Sequence, residues 1–340
     1  MRKQILILVS IILSMNLFSQ NIILHSDGNQ TLFTGVDAFI EAVNDASSGD
    51  TLYLSGNTFN SSTTINKQLT IYGSGIFPDS TYYTGKTILS DKIYLGENAS
   101  GSSVEGVEFA ARLETANNIS INNLTFKYCN FSYGISISGN LTNPATNLIF
   151  INNISTASID FSNIQYAQIY NNVWRMSGSS SPLSVSNSVI ANNIFTYGTN
   201  NVNVAGIIGS YNTIKNNYFN NSRSTSTAGI NGEYNEVFNN IFNLANPSFG
   251  SDPIYSENII GLSTNIFVNL SGIYNSDYNL IDPDEYIGND GTQIGLYGGL
   301  YPFKAGAVPS NPHFINSYIG NHTTNDGMLN IDIKVSAQDE

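Results

Sequence analysis

The chain has 340 residues, a formal net charge of −13 from 12 Lys+Arg against 25 Asp+Glu, and one cysteine. That acidity excludes a general nucleic-acid binder, which needs basic side chains to neutralise phosphates, and it gives no general attraction for polyanions such as pectin or alginate. A lone Cys129 excludes an internal disulfide, so the fold must be held by packing.

Met1–Gln20 reads as an export signal. Arg2 and Lys3 open it, Ile5 to Phe18 form its apolar stretch, and Phe18-Ser19-Gln20 offers a cleavage point. The apolar run is shorter than the roughly 20 residues of a spanning helix, and no other segment is apolar enough to span as one. Cleavage moves the formal charge from −13 to −15. The segment Val36–Asp45 then has the only helical periodicity in the chain, with Phe39, Ile40 and Val43 on one side. It predicts an N-terminal capping helix, followed through Ser47-Ser-Gly-Asp by a strand ending at Leu54.

The middle of the chain is repetitive. A branched apolar residue, one variable residue, an Asn pair or near-pair and two apolar residues recur. They form Ile169–Trp174, Ile190–Phe195, Ile214–Phe219, Val237–Phe242 and Leu262–Phe267. Counted from Asn171, Asn192, Asn216, Asn239 and Thr264, the steps are 21, 24, 23 and 25 residues. A unit this short cannot bury a core alone and must stack on copies of itself. Less regular copies precede it at Ile119–Leu124 and Ile149–Ile154. The segments are strand-and-turn chemistry. Apart from Gly, Asn best tolerates the left-handed corner that bends one short strand into the next. Ile169, Ile190, Ile214, Val237 and Leu262 are expected to form one interior column. Trp174, Phe195, Phe219, Phe242 and Phe267 are expected to form a second. Parallel coils of this length predict a single-stranded parallel β-helix, right-handed by the general rule for parallel crossovers.

Toward the C-terminus, Asp290–Gly299 reads as a final strand closed by glycines. Phe314–Ile319 and Met328–Val335 read as a hairpin turning at Asn325-Asp326-Gly327. The organisation is therefore a signal over 1–20, an N-terminally capped β-helix over 21–300, and a C-terminal extension with a β-hairpin over 301–340.

Three features resemble the right-handed parallel β-helix, or pectin-lyase-like, superfamily of exported bacterial proteins. These are the helix followed by Gly49–Leu54 and Leu69–Gly75, the Asn-Asn coils, and Asp277-Tyr-Asn-Leu280 followed by Ile294–Gly298. The resemblance spans roughly residues 30 to 300 and implies the fold. It does not imply an activity, because the fold hosts lyases, hydrolases, epimerases, adhesins and non-enzymatic proteins.

The catalytic branches leave few traces. Pectate-lyase-like chemistry needs clustered carboxylates for Ca²⁺ and a basic residue to take a proton, yet Asp160 is the only carboxylate from Thr115 to Gly232. Asp160 has no partner at one-coil spacing for two-carboxylate hydrolysis. Polygalacturonase-like Asp clusters with His and Arg-x-Lys motifs do not occur. His25, His313 and His322 read as surface or cap residues, and Asp282-Pro-Asp-Glu285 with Asp290 as a solvated loop. No cofactor or metal is therefore expected. Cys129 and Trp174 read as core.

The leading expectation is an exported, non-catalytic binding or structural β-helix, monomeric, with a polysaccharide or cell-surface component as partner and no nucleic acid. Its candidate ligand face carries Tyr170, Lys215, Glu236 and Phe238, with Ala191 and Ser263 in the same outward column. The alternative is a polysaccharide lyase or other carbohydrate-active enzyme. Its site would lie among Lys86, Asp91, Lys92, Glu97, Glu105, Glu108, Arg112 and Glu114. A third reading is a truncated adhesin or passenger.

Overall fold

The computed structural model describes residues 20–116, 119–157, 159–176, 183–197, 206–220, 229–270, 272 and 274–336, so most of the expected export signal lies outside the described residues. The chain winds into a parallel β-solenoid of about eight turns, consistent with a right-handed parallel β-helix. Each of the eight complete turns contributes one short strand to each of three sheets, and two further coils, at Glu236–Phe242 and Ile254–Ile260, contribute to the first two sheets. The first sheet has twelve strands, the second ten and the third nine.

Two left-handed corners per turn bracket the strand of the first sheet. The corner after it is occupied by Gly106, Tyr128, Asn152, Asn171, Asn192, Asn216, Asn239 and Glu257, all at positive φ. The corner before it is occupied by Asn123, Asn147, Tyr166, Asn187, Tyr211, Tyr234 and Asp252, also at positive φ. The residue after the first of these corners builds an amide ladder. The backbone N–H of Asn172 donates to Asn193 Oδ1 at 3.0 Å, that of Asn193 to Asn217 Oδ1 at 2.9 Å, and that of Asn217 to Asn240 Oδ1 at 3.0 Å. Each side-chain amide nitrogen reaches back to the preceding coil, as Asn193 Nδ2 does to the Ile169 carbonyl at 2.9 Å. Corners buried this deeply would otherwise strand polar groups.

Ile169, Ile190, Ile214 and Val237 stack in register and are fully buried. Leu262 does not continue the column; Tyr255 does, paired with Val237. The true last coil is Ile254–Ile260, with Glu257 at φ 54 and Asn258 accepting the ladder bond from Asn240. Thr264 would have placed a β-branched residue in the left-handed region, where it is strained. The step from Asn239 to Glu257 is only 18 residues and has no Asn at the corner itself.

The second column stacks ring on ring. Trp174, Phe195, Phe219 and Phe242 lie with neighbouring centroids 5.7, 4.8 and 4.7 Å apart and planes within 8°. Phe267 is not its fifth member, since Ile260 pairs with Phe242. Ser155 interrupts the column above Trp174, and Phe150 leans in from the first sheet to stack on Trp174 at 5.2 Å and on Phe131 at 5.5 Å. Cys129 is fully buried, and burial pushes its thiol up to about 12.

An antiparallel pair, Asn21–Ser26 and Asn29–Thr34, closes the N-terminal edge of the first sheet against Thr51–Leu54. It turns at Asp27-Gly28, both at positive φ, as a two-residue hairpin loop requires. The helix, Ala38–Asp45, packs Phe39, Ala42 and Val43 into the same core. The Lys67 ammonium donates to the Val43 carbonyl at 3.0 Å and to the Ala46 carbonyl at 2.5 Å, satisfying groups at the end of that helix.

After Ile260 the chain does not wind again. The described residues from 262 to 312 run along the side of the solenoid. Phe267–Asn269 pairs antiparallel with Asp277–Leu280, and Tyr274 between them reaches back to Glu108. The chain returns to Asn216, whose amide meets Asn289 and Asp290. It then passes Asn171, whose amide donates to the Leu296 and Gly298 carbonyls at 2.8 and 2.7 Å, and ends its course where the Ser310 N–H meets Glu105. The stretch Asp290–Gly299 is thus turns and not a strand. It runs past the corner asparagines instead of extending a sheet, because its four glycines favour bends over a strand. The C-terminal hairpin is present as His313–Thr323 paired with Leu329–Ser336.

Candidate binding surfaces

In the coil phrase the two apolar residues after the Asn pair are consecutive on a strand, so they point to opposite faces. Phe195 and Phe219 point inward; Ile154, Val173, Ile194, Tyr218 and Ile241 point outward and are nonetheless buried. Their cover is the side segment, which lays Ile266, Phe267, Tyr278, Ile294 and Leu296 over them. The second sheet is therefore closed to ligands along this stripe, and the first is partly closed at its edge.

Between the side segment and the outer face of the first sheet lies a cleft of about 510 Å³. Glu105, Lys127 and Ile151 stand in register on its coil wall, one per turn. Tyr128 and Asn152 come from the corners of the last two of these turns, and Tyr301 and Lys304 face them from the side segment. Burial holds the Tyr128 phenol above its ordinary range, against a hydrogen bond with Asn152. It is therefore protonated at neutral pH, a donor and not a base. With its nitrogen turned toward the side segment, the Asn152 amide donates to the Tyr301 carbonyl at 3.2 Å. Glu105 is engaged by the Ser310 N–H. Among the described residues the Lys127 ammonium has no hydrogen-bond or ion-pair partner. Drug-sized ligand sites have this volume and this mixture of apolar wall with a few fixed polar groups.

The sequence-derived ligand face is in register through four coils: Tyr170, Ala191, Lys215 and Phe238 stack outward on the first sheet. The fifth place belongs to Ser256, not Ser263. Glu236 shares the face, one column over, next to Thr213. The side segment changes its accessibility. Tyr301 packs on Tyr170 with centroids 5.4 Å apart, and Ala191 is buried. Lys215, Glu236 and Phe238 remain on the open part, so the four residues do not form one continuous surface.

The early-coil charges scatter over three faces. Glu105 lies in the cleft. On the second sheet Lys86 and Glu108 form an ion pair of 2.6 Å under Tyr274, which donates to Glu108 at 3.1 Å and accepts from Asn130 Nδ2 at 2.9 Å. Phe77 packs edge-on against Tyr274, so this cluster is largely covered. On the third sheet Lys92 pairs with Glu114 at 2.6 Å, and Arg112 reaches both Glu114 at 3.4 Å and Asp160 at 3.9 Å. Asp160 thus does have a carboxylate neighbour, Glu114, two turns away in the same outward column. One-coil spacing alone does not reveal it. Asp91 accepts bonds from Ser61 and Ser90, which hold its carboxyl below the usual range, and Glu97 begins a short 3₁₀ turn.

His313 and His322 lie in the hairpin and His25 in the N-terminal antiparallel pair. Among the described residues no three His, Cys, Asp or Glu side chains cluster as a metal site would require. No protein family, curated protein or solved structure matches this chain. The site must be read from its own geometry.

Proposed function

We propose that the protein is an exported, non-catalytic β-helix that binds carbohydrate, with a saccharide unit seated in the cleft between the first sheet and the side segment. The observation that carries this reading is the lining of that 510 Å³ cleft: two tyrosines, an amide and a Lys127 ammonium with no partner among the described residues. Tyrosine bodies suit the C–H faces of a pyranose, while the amide and ammonium suit hydroxyl or carboxylate oxygens. Catalysis is disfavoured in the cleft because Glu105 is its single carboxylate and already accepts from Ser310. Export through Met1–Gln20, bacterial origin and membership of the pectin-lyase-like superfamily belong to the same proposal.

Calorimetry on hits from a glycan array tests it. A Lys127→Ala/Tyr301→Ala double variant should lose at least about tenfold in affinity, or roughly 1.4 kcal/mol. A Tyr170→Ala/Phe238→Ala variant should change it less. Equal binding by wild type and the first variant removes the cleft; greater loss in the second moves the site to the outer column.

The enzyme reading has one observation in its favour, the Glu114–Arg112–Asp160 set on the third sheet. Both carboxylates are held by cations there, which suits positioning better than proton transfer. Purified protein should release neither reducing ends nor unsaturated uronates from pectate, alginate or glycosaminoglycans. Release that Glu114→Gln abolishes would replace the binding reading with that enzyme.

A further inference from the structure

The C-terminal hairpin is a two-stranded sheet of its own, with no coil strand beside it among the described residues. Its register sets Phe314 opposite Val335, Ser317 opposite Ile333, Ile319 opposite Ile331 and Thr323 opposite Leu329. Opposed residues share a face, so Phe314, Ile319, Leu329, Ile331, Ile333 and Val335 lie together. Tyr318, opposite Asp332, and Asn316, opposite Lys334, lie on the other side. All six apolar residues are 43–59% exposed. A lone two-stranded ribbon is marginally stable in water, and one with an apolar face needs something to cover it.

We propose that this face is the contact surface for a second copy of the chain, two hairpins packing apolar face on apolar face about a twofold axis. The face carries no charge, so it offers nothing to a partner of either sign. A patch of one kind is self-complementary, which an isologous contact requires. The area agrees. Covering six half-exposed side chains removes on the order of 500 Å² per copy, so the pair reaches the roughly 1,000 Å² that a specific interface must clear. The apolar outward stripe of the second sheet, where the hairpin could otherwise dock on its own chain, is already covered by residues 266–303. This proposal differs from the monomer expected from sequence.

Sedimentation of the chain without Met1–Gln20, at about 50 μM because dimer population depends on protomer concentration, should give the mass of two protomers. An Ile331→Asp/Ile333→Asp variant should give one, with the melting of the solenoid unchanged. A second measurement does not depend on that variant folding. Cys129 is fully buried, so one introduced thiol reports alone. Ser317→Cys, on the apolar face, should cross-link between copies under mild oxidation, and Tyr318→Cys, on the polar face, should not. Wild type sedimenting as one protomer overturns the proposal, as does equal cross-linking of both cysteines or a dimer surviving the double Asp variant. A single-protomer chain that instead binds neutral phospholipid vesicles through the hairpin also overturns it.

Discussion

Asn193 illustrates how much the one residue after a corner can hold. Its amide oxygen accepts from the Asn172 backbone and side chain, and its amide nitrogen donates to the carbonyls of Ile169 and Ala191 and to the Asn217 side chain. It is fully buried. Asn193→Ala removes all of these and leaves several buried groups without partners, at about 1–3 kcal/mol each before relaxation. A loss of about 3 kcal/mol or more is expected in urea denaturation; a loss below about 1 kcal/mol would mean that water replaces the amide. Ile214→Asp is more severe. It buries an unpaired charge in the centre of a continuous apolar column and should prevent stable folding. Circular dichroism with a wild-type melt would contradict that placement.

At the scale of elements, the coils were legible because their signature is local. A left-handed corner restricts residue type and sets the direction of the next strand, so Asn171, Asn192, Asn216 and Asn239 announce both corner and register. The last coil was not legible, since Glu257 occupies its corner and the step shortens to 18 residues. The side segment was hidden for another reason. It forms contacts over long sequence separations and has no period of its own. Its one trace is indirect: Ile194-Phe195 and Ile241-Phe242 are apolar on both faces of a strand, which requires a cover. The cleft shares this fate, because half its wall is that segment. The Lys86–Glu108–Tyr274 cluster pins the segment. Burial alone would pull the Lys86 pKa down, but Glu108 and Tyr274 outweigh it and hold it above the ordinary lysine value; burial first, then Glu108, raises Tyr274. Both shifts favour the protonated forms in the fold. Their contribution is therefore complete below about pH 10, where the unfolded chain begins to lose these protons, and is lost as pH rises through the folded values. Melting scans from neutral to strongly alkaline pH should fall more steeply for wild type than for Lys86→Met. At neutral pH that variant should be less stable by roughly 1–3 kcal/mol, since Glu108 is left half-buried without its charged partner. Parallel curves would show that the pair contributes nothing.

At the scale of the whole molecule, net charge sets what the surface meets at long range. With −13 over the full chain, the protein should not be retained on heparin or DNA at physiological salt. Lys127 and Lys304 in the cleft are too few to reverse this, being confined to one concave site. Salt-sensitive retention on heparin that Lys127→Ala abolishes would instead make the cleft a polyanion site.

A solenoid ordinarily melts from its ends, because each turn is coupled only to the turns beside it. Here residues 262–312 bond to turns as far apart as those of Asn216 and Glu105. Turns that share no contact with one another thus share a common brace. Opening the last coil breaks its pairing with the coil before it and the packing of Ile259, but opening further means lifting the brace from several turns at once. Unfolding should therefore proceed as one cooperative event over the braced turns, with only the coil at Ile254–Ile260 free to fray. The brace can seat only on turns that already exist, so it would be the last part of the chain to dock.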